Sequence, residues 1–144
     1  MEWRPPQITG IWLEGVEDAL RAPLPGLLMI RKSLPNKVDY RVFACKERPV
    51  AINAALFRAP LPNVGDGGVC WGTVTKVSKA ALAGNDLKED WQHLLGSPFT
   101  GHNVDGKSRK YKKDIRLALT GLVGCESYPL EDLVDAKRTL AEEF

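Results

Sequence analysis

One cysteine of the sequence, Cys70, lies in a segment whose composition suits nucleophilic chemistry. It follows a run in which Gly65, Gly67 and Gly68 occupy three of four positions, and glycine permits tight or left-handed turns. A thiol on such irregular backbone is open to a flexible substrate, and its thiolate form is a strong nucleophile. The segment therefore predicts that Cys70 is the nucleophile of an acyl-transfer site.

Asn63 stands seven positions before Cys70 and could supply a second group that acyl transfer needs. An amide or backbone N–H must face the negative oxygen that develops on the carbonyl under attack. An asparagine after Pro62 is also typical of a turn residue that bonds its own loop backbone, and one residue can do both. Asn63 is therefore a candidate oxyanion donor.

Polar side chains on both sides of Cys70, three of them carboxylates, could steer or deprotonate an incoming amine. Asp66 lies just before the cysteine, and Asn85, Asp86 and Asp90 stand where a following helix is expected to begin. The same residue types commonly solvate a loop or cap a helix. Both interpretations stay open at each of these positions.

The two histidines raise a different possibility, a cysteine hydrolase in which Cys70 is paired with His102 or His93. His102 lies in a loop flanked by glycine and is the better candidate base. His93 lies one position off the apolar stripe of its expected helix, so we expect it at the surface or at a rim. Trp71, next to the cysteine, is expected to be a core residue rather than part of a substrate rim.

The other two cysteines are expected to be small buried hydrophobic residues, Cys45 in a strand and Cys125 at a helix exit. Three cysteines at spacings of 25 and 55 form neither a disulfide framework nor a CxxC half-site, and the two histidines complete no metal-ligand spacing. We therefore expect no metal, no cofactor and a reducing cytoplasm.

The composition is that of one globular domain covering residues 1–144. With 44% hydrophobic and 26% charged residues, the chain can bury a core without disulfides. A formal net charge of +2 provides no global field for nucleic acid. No apolar run approaches the roughly 18 residues of a membrane span, and the N-terminal residues lack a signal-peptide pattern. We therefore expect neither a nucleic-acid partner nor a membrane partner.

The elements that must position these residues are a group of strands followed by helices. Three β-type runs cut by turn residues predict an antiparallel meander: GLLMIRK (26–32), DYRVFACK (39–46) and INAALFRA (52–59). Apolar stripes predict helices over 86–95, capped by Asn85, over 111–123 and over 129–144. Residues 1–25 carry a helical stripe broken by glycine and proline, and we expect a helix or an irregular entry segment there. The order of elements predicts the α+β class.

A basic run, GKSRKYKK (106–113), stands out from the acidic residues 126–144. Such runs commonly form a solvated helix start. The uneven charge would also suit a docking patch for an acidic partner protein. The cations concerned are Lys107, Arg109, Lys110, Lys112 and Lys113.

The segment Leu61-Pro62-Asn63, followed by Cys70, resembles the ubiquitin-conjugating enzymes, in which a His-Pro-Asn motif precedes the thioester cysteine by a similar distance. Leu61 replaces the usual histidine here. The sequence is more similar still to the prokaryotic ubiquitin-conjugating-enzyme-like family D, which includes protein B of the PRTRC cassettes. The residues that match its pattern are Pro60, Asn63-Val64, Gly67-Gly68, Val69-Cys70, Gly72, Trp91 and Ser97-Pro98-Phe99-Thr100.

This resemblance implies a ubiquitin-conjugating-enzyme-like fold, in which the meander is followed by a Cys-bearing loop and helices. It implies that Cys70 carries the thioester and that Asn63 is the motif asparagine, and it assigns no base. The implied partners are a ubiquitin-like protein, a ThiF-type activating enzyme and a target lysine, in bacterial protein conjugation that extends to anti-phage defence. A catalytically silent variant, which scaffolds a ubiquitin-like protein or its activating enzyme, is the alternative from another class.

Overall fold

The computed structural model describes residues 1–71, 84 and 86–144. Within these residues the chain forms seven strands and two α-helices. In chain order they are β1 (Glu2–Arg4), β2 (Gln7–Ile11), β3 (Leu20–Leu24), β4 (Gly26–Leu34), β5 (Lys37–Cys45), β6 (Ala55–Arg58), α1 (Lys88–Gly96), α2 (Ile115–Gly121) and β7 (Asp135–Thr139). Short 3₁₀ turns at Leu130–Asp132 and Leu140–Glu143 flank β7.

The strands form one large and one small antiparallel sheet. The large sheet has the order β1-β4-β5-β6-β7, and β2 pairs with β3 in the small one. The strands β4 and β5 pair along their full length, from Gly26 opposite Cys45 to Leu34 opposite Lys37, whereas β6 pairs with only two residues of β5. The predicted antiparallel meander is therefore confirmed, in a mixed α/β fold compatible with that of conjugating enzymes.

Both faces of the central strand β5 are buried. Tyr40, Val42 and Ala44 belong to the larger core, which also contains apolar side chains of α1, α2, β2 and β3. Phe43 and Cys45 point into a second cluster, which includes Ala136, Leu140 and, at its margin, Trp3. The C-terminal residues Ala136 and Leu140 cover this second face.

The prediction of a helix or irregular segment for residues 1–25 is wrong, because this region forms β1, β2 and β3. Thr9, Ile11 and Leu13 are buried at alternate positions, which is the period of a strand. Pro23 lies opposite Ile8 in the two-stranded sheet, where an edge position tolerates a residue without a backbone N–H.

The predicted third helix, over 129–144, is also wrong. The residues instead form β7 between two short 3₁₀ turns, and β7 extends the large sheet beside β6. The register shifts between Leu56 and Phe57 of β6, and Lys137 on β7 adopts a positive φ of 57°. The apolar residues of this segment also have helical spacing, but pairing with the edge of β6 favours the strand over the helix.

The helix α1 begins at Lys88, after Leu87, and the predicted cap Asn85 lies outside the described residues. The helix α2 is shorter than predicted, and Asp114 caps it by accepting a hydrogen bond from the backbone N–H of Arg116 at 3.0 Å. None of the helices in the described part of the chain has the length and apolar character needed to cross a membrane.

Two single-residue expectations also need correction. Cys45 is buried as predicted, but Cys125 is exposed, because the chain turns away from the core after α2 at Gly124, where φ is 87°. Within the basic run, four of the five cations are exposed, whereas Lys107 is buried.

Candidate active site

Cys70 ends a tight turn that we call the Cys70 turn (residues 64–70). Val64 and Val69 face each other in an antiparallel bridge. Between them the N–H of Gly65 donates a 2.8 Å hydrogen bond to the carbonyl of Gly68. The turn thus closes on itself immediately before the thiol.

The Cys70 turn is fastened to the edge of β5 that β6 leaves free. The N–H of Val42 donates to the carbonyl of Gly67 at 2.8 Å, and the N–H of Val69 donates to the carbonyl of Tyr40 at 3.2 Å. Because β5 lies in the middle of the sheet and is buried on both faces, it provides a rigid base for the turn.

Gly67 is the position of the turn that requires glycine. Its φ is 86°, and a Cβ atom there would lie 2.5 Å from the Cζ atom of Phe43 and 2.9 Å from the Nε atom of Arg41. Any side chain would therefore be strained and would also displace the turn from β5. At Gly68, by contrast, a Cβ atom would meet nothing within 4 Å.

Asp66 lies on the outer side of the turn and is held from the C-terminal end of the chain. Its carboxylate lies 3.4 Å from the Nη2 atom of Arg138, and its carbonyl accepts a 2.8 Å hydrogen bond from Arg41. Both arginines also contact the buried carboxylate of Glu143, at 3.2 Å from Arg138 and 3.7 Å from Arg41. The charge of Asp66 is thus partly compensated before any substrate approaches.

Asn63 is clamped by the segment that follows α1. It has a left-handed φ of 62°. Its Nδ2 atom donates to the Oγ1 atom of Thr100 at 2.8 Å, while its Oδ1 atom accepts from the N–H of Thr100 at 2.7 Å. Its backbone N–H donates to the carbonyl of His102 at 2.8 Å. The amide nitrogen carries two hydrogens and this clamp uses one of them, so a second donor direction exists.

Cys70 is exposed, and it lies directly beside Asn63. The N–H of Cys70 donates a 2.7 Å hydrogen bond to the carbonyl of Asn63. Cys45 differs sharply, because burial raises the pKa of its thiol to about 11. Of these two thiols, only that of Cys70 is accessible to a substrate.

The thiol opens onto a groove of about 590 Å³. One wall is the connection between β2 and β3, and a second wall, adjacent to the first, is the end of α1 with the residues after it. The two walls are joined through Phe99, whose N–H donates to the carbonyl of Trp12 at 2.7 Å and whose carbonyl accepts from Glu14 at 2.8 Å. The groove is lined by residues 12–16, residues 97–100 and Asn63, Cys70, Trp71, His93 and Leu94.

The structure brings Cys70, Asn63 and His93 to this groove, but His102 and Asp66 do not line it. His93 is half-buried, and its Nε2 atom lies 3.5 Å from the Oε1 atom of Glu89, one helical turn earlier. The glutamate four positions before the histidine is the sequence signal that could have favoured His93. Trp71 is both a groove residue and a core contact, because its ring packs edge-on against Tyr40 at 5.0 Å between centroids.

Asp90, another candidate for steering an amine, serves to fix α1 instead. It is fully buried, and its Oδ2 atom pairs with the Nη1 atom of Arg31 on β4 at 3.1 Å. This pair ties the helix that carries His93 to the sheet. Asp86 is exposed and accepts a hydrogen bond from the N–H of Lys88 at 3.3 Å, in the first turn of the helix.

Sequence reasoning missed the wall formed by residues 12–16, because residues 1–25 were not recognised as strands. Trp12 and Val16 are each more than two-fifths exposed along the groove. Among the described residues, no group of three histidine, cysteine, aspartate or glutamate side chains could hold a metal ion.

Comparison with known proteins connects this arrangement to one family. No curated protein and no solved structure matches the chain. A family model, that of prokaryotic E2 family D, matches residues 1–136 of the 144. The match covers Asn63, Cys70, His93 and both walls of the groove. The chain therefore belongs to prokaryotic E2 family D.

Proposed function

We propose that the chain, acting as a single domain in the cytoplasm, accepts a ubiquitin-like protein on Cys70 and transfers it to a target amine. Family membership gives a conjugating-enzyme-like role in general. The observation that carries the specific proposal is the exposed Cys70, which lines a groove and whose backbone N–H donates a hydrogen bond to the carbonyl of Asn63. Such a groove can hold an extended protein tail beside the nucleophile.

In the first step the Cys70 thiolate attacks the thioester carbonyl that joins the ubiquitin-like protein to a ThiF-type activating enzyme. A new C–S bond forms to Cys70 and the old C–S bond breaks. The departing thiolate takes up the proton that Cys70 lost. The second hydrogen of the Asn63 amide would stabilise the oxyanion that forms between these events.

In the second step an unprotonated lysine amine of the target attacks the Cys70 thioester, so a C–N bond forms and the C–S bond breaks. The proton that the attacking nitrogen loses is taken up by the departing Cys70 thiolate. Because the amine has a pKa of about 10.4, only about one molecule in a few thousand is unprotonated at pH 7. A base near the thiol is therefore valuable, and His93 is the histidine that lines the groove. Asp66, on the outer side of the turn, would attract the incoming ammonium group.

The experiment mixes the protein with its activating enzyme, ATP and the ubiquitin-like protein, and separates the products on non-reducing gels. We expect an adduct that a thiol reductant removes and that Cys70→Ala lacks. Cys125→Ala is the matched control, because Cys125 is also exposed. Cys70→Lys should give an adduct that resists reductant. The proposal would be refuted if the activating enzyme carries the ubiquitin-like protein as a thioester but no adduct forms on Cys70.

The exposure of Cys70 favours this function over a catalytically silent scaffold. A hydrolase is the second candidate, because the groove holds a cysteine, a histidine and an asparagine together. The histidine of the groove is His93, so the hydrolase is tested in His93→Gln and in His102→Gln, by cleavage of a reporter fused to the C-terminus of the ubiquitin-like protein. Loss of cleavage in His93→Gln would support the form that the groove favours, and loss in His102→Gln alone would support the form that uses His102. Absence of cleavage by the wild type would remove both forms. The setting that the family resemblance implies, conjugation in bacteria and in anti-phage defence, belongs to the proposal as well.

A further inference from the structure

Lys107 is buried, although the other cations of its basic run are exposed. Only 2% of its surface is accessible, and its ammonium nitrogen donates a hydrogen bond to the main-chain carbonyl of Leu61. Lysine is almost never fully buried, because removing an ammonium group from water is costly. Burial lowers the pKa of Lys107 to about 7; Asp105 favours the charged form and Arg58 opposes it.

The carbonyl that Lys107 holds begins a rigid stretch of backbone. Leu61 is itself fully buried, and its N–H donates to the carbonyl of Ala59 at 2.8 Å. Its carbonyl lies in the plane of the peptide bond to Pro62, whose ring fixes the next φ angle. The orientation of the Leu61 carbonyl therefore fixes the chain through the Cα atom of Pro62, and the ψ angle of Pro62 is the one soft rotation left before the peptide of Asn63.

Asn63 transmits that orientation to the thiol. Its φ of 62° leaves little freedom for a residue other than glycine. Its side chain is tied to Thr100 by two hydrogen bonds, and its carbonyl holds the N–H of Cys70 at 2.7 Å. A rotation of the Leu61 peptide would strain all three of these bonds.

We propose that Lys107 is a positioning residue of the thioester site, which holds the Leu61 carbonyl and thereby fixes Asn63 and Cys70. Lys107 does not line the groove, so it acts through the backbone and not on the substrate. This inference rests on the proposed function of Cys70 for its activity readout, and its second readout is independent of that function.

The first test compares Lys107→Met with Lys37→Met, the latter replacing an exposed lysine outside the basic run. Methionine keeps the length of the side chain but cannot donate to the Leu61 carbonyl. We expect Lys107→Met to slow transfer from the Cys70 thioester by about 10- to 100-fold, and Lys37→Met to change it less than about twofold. At pH 6 the midpoint of thermal unfolding of Lys107→Met should be no lower than that of the wild type, because the buried charge is gone.

The second test follows the backbone amide resonance of Asn63 by nuclear magnetic resonance between about pH 5.5 and 8. In the wild type this resonance should shift together with the side-chain carbon resonances of Lys107. The shift should persist in His102→Gln, which removes the imidazole of the residue whose carbonyl Asn63 contacts, and should be absent in Lys107→Met. This measurement tests the positioning role even if Lys107→Met fails to fold. The wild type then shows whether the Asn63 resonance follows Lys107, and His102→Gln shows whether the shift comes from the imidazole of His102.

The outcomes separate the two proposals. If Cys70 forms the thioester with the ubiquitin-like protein and Lys107→Met transfers it at the wild-type rate, the positioning role is overturned. If Cys70 never forms the thioester, the proposed function fails. The Asn63 resonance then decides the positioning role alone, and a resonance that does not follow Lys107 overturns it.

Discussion

The backbone N–H of Cys70 donates a 2.7 Å hydrogen bond to the carbonyl oxygen of Asn63. The candidate nucleophile and the candidate oxyanion donor are therefore joined by one backbone hydrogen bond. Because the Asn63 side chain is clamped to Thr100, the asparagine both shapes the site and offers a donor. Substitutions can separate these two roles.

Asn63→Gly should impair both stability and transfer. Glycine accepts the left-handed φ without strain, but the N–H of Thr100 loses its partner, which should lower the free energy of unfolding by about 1 to 3 kcal/mol. Loss of the oxyanion donor should slow transfer by about 100-fold or more. Thr100→Val is the matched control, because it keeps the N–H bond to Asn63 and removes only the hydroxyl. Urea denaturation and single-turnover transfer measure the two effects, and a normal transfer rate in Asn63→Gly would exclude the donor role.

His93→Gln should slow transfer without preventing the Cys70 thioester from forming. The imidazole lines the groove with the thiol, and loss of a general base typically costs about 100-fold or more. Discharge of the preformed thioester to free lysine measures this step at equal loading. His102→Gln should discharge within about twofold of the wild type, since it leaves the groove lining intact. Equal rates in both variants would remove the imidazole of His93 from the mechanism.

Gly67→Ala should destabilise the fold far more than Gly68→Ala. A Cβ atom at position 67 would lie 2.5 Å from the Phe43 ring at a φ of 86°, whereas position 68 is open. Strain at a single left-handed position costs on the order of 1 to 3 kcal/mol, and most surface substitutions stay within about 0.5 kcal/mol. Chemical denaturation of the two variants measures their free energies of unfolding. Similar losses of stability in both would show that the contact with Phe43 does not constrain the turn.

Lys107 should make the free energy of unfolding rise with pH above about 7. Burial lowers its pKa in the folded chain to about 7, while in the unfolded chain it is about 10.4. Between these values the unfolded chain binds more protons, so stability increases with pH, by up to roughly 1.4 kcal/mol for each unit of pKa difference. Below pH 7 both states are protonated and the cost of burying the ammonium group is present in full.

The measurement for Lys107 is the difference in unfolding free energy between the wild type and Lys107→Met, taken at several pH values from about 6 to 9. Taking the difference cancels the other groups that titrate in this range. The free energy of unfolding of the wild type should rise relative to that of the variant as the pH increases. A difference that stays constant with pH would contradict a lowered pKa.

The strands β4, β5 and β6 and the helix α1 could be predicted from the sequence, because their apolar periods and turn residues agree with one another. The exposed Cys70 beside Asn63 could also be anticipated, from the glycines that force the chain to turn there. These are local signals, and neighbouring residues along the chain suffice to produce them.

The misassigned elements depend on distant residues. Residues 1–25 and 129–144 have apolar spacings compatible with a helix, and only pairing with a partner strand selects the extended form. For the same reason the groove wall at residues 12–16 and the burial of Lys107 could not be foreseen. Lys107 turns inward because a carbonyl 46 positions earlier in the chain accepts its hydrogen bond.

The anchoring of the Cys70 turn by the end of the chain has a practical consequence for preparing the protein. The family model ends at residue 136, yet Arg138 and Glu143, which hold Asp66 and Arg41, lie beyond it. A truncation designed to the family limits would keep every residue of the groove and still release the outer side of the turn. An affinity tag is therefore better fused at the N-terminus, since Arg138 and Glu143 hold Asp66 and Arg41 at the outer side of the Cys70 turn.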